Sequence, residues 1–134
     1  MASDNTPPHA TDSSGLEHGP VFSWSRAHDG LIYTSGHAAV DVDSLGRRHG
    51  DLLDETRATL RNLERTLKAA GSGLDKVLKV TVYLTDMGQY AAFNRVYREF
   101  FPAGEHALAP ARTCVEVRRL PYNFKVEIEA VAHT

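Results

Sequence analysis

The chain has 134 residues, 42% hydrophobic and 24% charged, with a net charge of −2 and a pI near 6.4. Its length suits one domain with a single core, since domains most often hold ~100 to 150 residues, and folding at that size needs no disulfide or structural metal. The acidic balance gives no overall attraction to nucleic-acid phosphates or anionic lipid, the single Cys114 excludes an internal disulfide, and no apolar run nears the ~20 residues of a membrane span.

Residues 1–18 are rich in Ser, Thr, Asp, Pro and Gly and are expected to form a flexible N-terminal arm, because they bury too little to offset the entropy of ordering. Met1 to Pro8 lacks the basic start and apolar stretch of a signal peptide, so the expectation is a cytoplasmic protein without membrane or nucleic-acid partners. The folded domain is read as 19–134. Val21 to Ser25 and Leu31 to Ser35 read as strands, joined at Asp29-Gly30, a hairpin signal. From Asp51 the apolar spacing becomes helical through Leu53, Thr56, Leu60, Leu63, Leu67 and Ala70, with Asp51 placed to cap the start and Gly71 to end it.

Val77 to Leu84 alternates like a half-buried strand, with Leu78, Val80, Val82 and Leu84 expected on the core face. Asp86 is a cap candidate for a second helix whose stripe of Tyr90, Phe93, Tyr97 and Phe100 is expected in the core, before Pro102 stops it. Strands are expected over Arg112 to Leu120 and Lys125 to Ala132. The order β-β-α-β-α-β-β predicts an α+β domain, one sheet with both helices on one face. The other face is then bare, and self-association would cover it.

Period two puts Arg112, Cys114, Glu116 and Arg118 on one face of their strand, and Glu127 and Glu129 on one face of theirs. Arg112 follows Pro110-Ala111, where a loop becomes a strand, and its guanidinium can either fork onto a carboxylate or form a surface ion pair. Glu127 is either a water-orienting base, given a partly apolar site that raises its pKa, or a solvated strand residue, and Glu129 fits the same pattern. Cys114 reads as a small buried side chain rather than a nucleophile, although Arg112 lies two residues away. His37, just after Gly36, either faces water in a turn or lines a site. The seven histidines are scattered, and there is no HExxH, P-loop or GxGxxG, so neither metal nor nucleotide cofactor is expected.

Thr34-Ser-Gly36, Asn94-x-x-Tyr97-x-x-Phe100-Phe101-Pro102, Pro110-Ala-Arg-Thr-Cys-Val-Glu-Val117, Leu120-Pro121 and Val126-Glu-Ile-Glu-Ala130 occur in that order. Together they resemble the reactive intermediate deaminase (Rid, or YjgF-like) family, from about residue 19 to the end. The resemblance implies a chorismate-mutase-like fold, a homotrimer with clefts between subunits, and cofactor-free hydrolysis of 2-imino or 2-enamino acids to 2-oxo acids and ammonia. On it, Arg112 binds the substrate carboxylate and Glu127 positions the attacking water, while Gly36, Cys114, Ser35 and Asn94 line the pocket. Phe22 stands where many relatives carry a tyrosine, His37 where glutamine is common, and Trp24 and Tyr122 add bulk. These departures suit a larger imine or enamine. The alternative is a non-catalytic module that senses a small carboxylate in the same clefts.

Overall fold

The structure is a computed structural model that describes residues 10–11, 17–18, 21–41, 46–47, 49–104 and 108–134. Most of the expected arm lies outside the described residues. Within it, β1 (Ala10–Thr11) and β2 (Glu17–His18) pair antiparallel.

The remaining strands, β3 (Ser25–His28), β4 (Leu31–Thr34), β5 (Val77–Leu84), β6 (Ala111–Glu116) and β7 (Val126–His133), form one mixed sheet in the order β3-β4-β7-β5-β6. Only the β5–β6 pair is parallel; the others are antiparallel. Helix α1 (Leu52–Ala69) precedes β5, and α2 (Tyr90–Phe100) carries the crossover from β5 to β6. The expected α+β order is therefore found.

Local chemistry explains most element ends. Asp29 and Gly30 both have positive φ, 49° and 79°, as a tight two-residue hairpin requires. That turn pairs His28 with Leu31, so the first hairpin strand runs to His28 rather than over the expected Val21 to Ser25, and Val21 is left 90% exposed. Asp51 caps α1 by accepting from the Asp54 N–H at 2.8 Å. Gly71, at φ 85°, ends it, while the Gly71 and Ser72 N–H groups bond back to the Lys68 and Leu67 carbonyls. Asp86 instead caps a 3-10 turn, Met87–Gln89, that leads into α2.

The core lies between the helices and one face of the sheet. Leu60, Leu63 and Leu67 of α1 and Phe93 of α2 bury fully against Ile32, Val80, Val82, Leu84, Val126 and Ile128. Two apolar expectations are corrected. A register shift between Val77 and Lys79 makes Leu78 the extra residue of a bulge, so Val77 turns inward and Leu78 stays 49% exposed. Tyr90 also leaves the core, 41% exposed at the first turn of α2. The strand from Arg112 stops at Glu116 before a bend, and a 3-10 turn at Pro121–Asn123 leads into β7.

Glu55 locks this last turn to α1. Although fully buried, its carboxylate accepts from the Lys125 N–H at 2.8 Å and meets Lys125 Nζ at 3.1 Å. Lys125, immediately before β7 and two residues before Glu127, is thereby fixed from within the fold.

Candidate active site

Arg112 lies on β6, the edge strand, and its register opposite Val80 points it to the helix-covered side of the sheet. Its Nη1 donates to Asn94 Oδ1 and its Nη2 to the Tyr90 hydroxyl, both at 2.8 Å. The guanidinium also lies over the Tyr97 ring, 4.7 Å from its centre, a favourable cation–π placement. Among the described residues no carboxylate forms an ion pair with it. Among the described residues Arg112 is thus held by neutral acceptors and ring faces.

Tyr97 beneath it is buried, its hydroxyl meets no hydrogen-bond partner, and burial pushes its pKa up to about 12 against the opposing pull of Arg112. It remains neutral and serves as a flat support. Cys114 lies on the same side as Arg112, opposite Val82, half-buried against the core. Burial raises its thiol pKa more than Arg112 lowers it, which favours the protonated lining residue over a thiolate nucleophile.

Glu127 belongs to a second group. Its register opposite Tyr83 turns it to the face without helices, along with Glu129, whose carboxylate accepts from the Tyr83 hydroxyl at 2.7 Å. Gly36 lies directly against it: a Cβ at position 36 would come within 2.7 Å of Glu127 Cδ. Only hydrogen leaves room for the carboxyl there. Partial burial, reinforced by Glu129, raises the pKa of Glu127 above the usual carboxylate range, which makes it a candidate to take and return a proton.

Ser35 completes the loop beside it. Its hydroxyl donates to the Ser23 carbonyl at 2.6 Å and its N–H to the Trp24 carbonyl at 3.0 Å. Phe22 stands edge-on to Trp24, with ring centres 5.7 Å apart. His37 is neither solvent-facing nor pocket-lining: it is buried, its ring bonded to the Ser35 carbonyl and the Thr66 hydroxyl.

The expected site residues thus separate: Arg112 stands with Asn94 and Cys114, and Glu127 with Gly36 and its chain neighbour Ser35, while Phe22 packs on Trp24. Within one chain Arg112 and Glu127 lie on opposite faces of the sheet. Sequence reasoning missed Tyr90 and the support from Tyr97, which were assigned to the core. A cavity of about 340 Å³ lies elsewhere, along α1 beside Arg57, Arg61 and Arg65, and Arg57 is already paired with Glu99 at 3.1 Å. Among the described residues no three His, Cys, Asp or Glu side chains gather as metal ligands would. No described helix is long and apolar enough to cross a membrane.

Residues 17–134 match the family described as Endoribonuclease L-PSP. A RutC family protein of Pyrococcus horikoshii is 41% identical over 116 residues, covering 85% of this chain and 89% of its own. TdcF of Escherichia coli, whose name carries the words reactive intermediate deaminase, is 40% identical over 103 residues, 76% of this chain and 78% of its own. The crystal structure of Escherichia coli TdcF with bound serine superposes with a TM-score of 0.77 at 34% identity, covering 87% of this chain and 90% of that one. The Escherichia coli YjgF product gives 0.78 at 32%, covering 98% and 95%. By sequence and fold alike, the chain belongs to the reactive intermediate deaminase (Rid, YjgF-like) family.

Proposed function

We propose that the protein hydrolyses 2-imino and 2-enamino acids to 2-oxo acids and ammonia, in clefts formed between the subunits of a homotrimer. The observation that carries this reading is Arg112, a guanidinium set in place by neutral partners and paired with no carboxylate among the described residues. It matches the carboxylate shared by every substrate of this class. A protonated imine is already electrophilic, so the site needs an anchor, an oriented water and exclusion of bulk solvent, without a cofactor.

The Arg112 guanidinium of one copy holds the substrate carboxylate, and Glu127 of a neighbouring copy accepts a proton from water as the water oxygen bonds to C2. The C=N electron pair moves to nitrogen. Glu127 returns the proton to that nitrogen; as the C–N bond breaks, its electron pair leaves with ammonia, an oxygen lone pair closes the C=O bond, and the hydroxyl proton passes back to Glu127 and on to the released ammonia, leaving the 2-oxo acid and ammonium. An enamine enters by first taking a proton at C3. Cys114, Ser35 and Gly36 line the cleft, and Phe22, lacking a phenolic hydroxyl, gives it an apolar wall suited to larger side chains. Asn94 aligns the guanidinium.

The test is to generate 2-iminobutanoate, 2-aminoacrylate and larger imines in situ and follow 2-oxo acid release. Acceleration by the wild-type protein is expected, and Arg112→Ala should lower kcat/KM by roughly ten- to a hundredfold, the loss of one charge-assisted contact of ~1.5 to 3 kcal/mol. No acceleration with any imine, set beside a thermal shift with 2-oxo acids, would replace the reaction with carboxylate sensing.

A further inference from the structure

The backbone that contacts Glu127 is an irregular stretch. β4 pairs with β7 as far as Tyr33 opposite Val131, and pairing resumes where His37 bridges Ile128 through two backbone bonds of 2.7 and 2.9 Å. Three residues, 34 to 36, therefore span the two positions 129 and 130, a bulge that swings Gly36 onto the Glu127 carboxyl. Thr34 replaces the lost ladder bond, its Oγ1 accepting the Ala130 N–H at 3.0 Å.

The imidazole of His37 secures the bulge on its other side. Nδ1–H donates to the Ser35 carbonyl at 2.8 Å, immediately before Gly36, and Nε2 accepts from the Thr66 hydroxyl of α1 at 2.7 Å. This tautomer is the one that satisfies both partners, and burial lowers the pKa of the ring and keeps it neutral. Trp24 covers the ring with centroids 5.4 Å apart. One side chain thereby ties the hairpin, the bulge and α1 together beneath the Glu127 contact.

From this geometry we infer that His37 is a positioning residue: by fastening the Ser35 carbonyl to α1 it holds Gly36 against Glu127 and so sets the direction of the carboxyl that orients water. The inference rests on the deaminase reading of Glu127, but its structural half can be measured without turnover. It separates two roles within the site, because Arg112 is held by Asn94 and Tyr90 of α2 and shares no hydrogen-bond partner with His37.

Three variants test it. His37→Leu keeps bulk and removes donor and acceptor; His37→Gln keeps an amide N–H for Ser35 and an oxygen for the Thr66 hydroxyl; Thr66→Val removes the outer bond alone. With His37→Leu, kcat should fall about tenfold while KM stays near the wild-type value, and His37→Gln should restore most of the loss. Independently of activity, carbon-13 NMR of the free protein should show the Glu127 titration moving toward the ordinary glutamate range in His37→Leu and returning in His37→Gln. Glu129 and Tyr83, the titratable groups facing Glu127, remain in all three, so a change traces to the bulge. Unchanged kcat and unchanged titration in His37→Leu, or an equal fall in His37→Gln, would overturn the inference. Should His37→Leu fail to fold, Thr66→Val decides: a several-fold loss in kcat alone supports the role, and wild-type kcat and titration refute it. If the wild type turns over no imine, the deaminase reading fails and the NMR titration still decides whether His37 sets Glu127.

Discussion

Replacing Gly36 by alanine isolates the contact on which the carboxyl proposed to orient water, that of Glu127, depends. The added Cβ would lie 2.7 Å from Glu127 Cδ and 3.0 Å from both Cγ and Oε1. Carbon atoms separate comfortably at ~3.5 to 4.0 Å, so the carboxyl must retreat by about 1 Å. Gly36 does not have the positive φ of Gly30 and Gly71, so alanine meets no backbone penalty there. The clash falls on a side chain able to rotate, at a cost of ~0.5 to 1.5 kcal/mol for leaving its rotamer. Misplacing a reacting group by that distance can cost ~10²-fold in rate. Gly36→Ala should therefore unfold within a few degrees of wild type and lose about a hundredfold in kcat with little change in KM, measured as 2-oxo acid release from 2-iminobutanoate made in situ. Wild-type kcat in this variant would refute the reasoning, and so would a collapse of the fold.

Two further perturbations follow from buried charge. Glu127 has a raised pKa in the fold, so the unfolded chain releases its proton first, and stability present below the ordinary value of 4.5 is lost as pH rises through the raised one. Glu127→Gln should flatten that loss and gain stability relative to wild type toward neutral pH while turnover falls, measured by urea unfolding across pH 4 to 8; a variant less stable than wild type at neutral pH would reverse the sign. Glu55→Gln should lower stability by about 2 to 3 kcal/mol, because the buried carboxylate serves both the Lys125 N–H and its ammonium. Unfolding within error of wild type would show that Glu55 does not anchor β7.

The parts of the fold set by neighbours in sequence were legible. Leu60, Leu63 and Leu67 marked the buried stripe of α1, and Asp51, Gly71 and Asp29-Gly30 marked their cap and turns. Leu78 was misplaced because perfect alternation conceals a bulge, which only pairing with β7 reveals. Tyr90 continued the helical spacing of Phe93 and Tyr97, yet it begins α2 just after a 3-10 turn and its hydroxyl is taken by Arg112, 22 residues on. His37 is buried by Thr66, 29 residues away, and no local pattern signals such a partner. Arg112 and Glu127 could each be singled out from their motifs. That they occupy opposite faces required the strand order β7-β5-β6, because alternation within a strand does not relate one strand to another.

That opposition makes subunit mixing the most direct measurement. Arg112→Ala and Glu127→Gln are purified separately, the residual activity of each is measured, and they are unfolded and refolded together at equal concentration, with mixed assemblies, trimers on the proposed reading, verified by native mass spectrometry. If each cleft takes its guanidinium from one copy and its carboxyl from the next, random assembly rebuilds about a quarter of the clefts, and activity should return to about a quarter of wild type. Mixed assemblies no more active than the two parents would contradict the shared cleft.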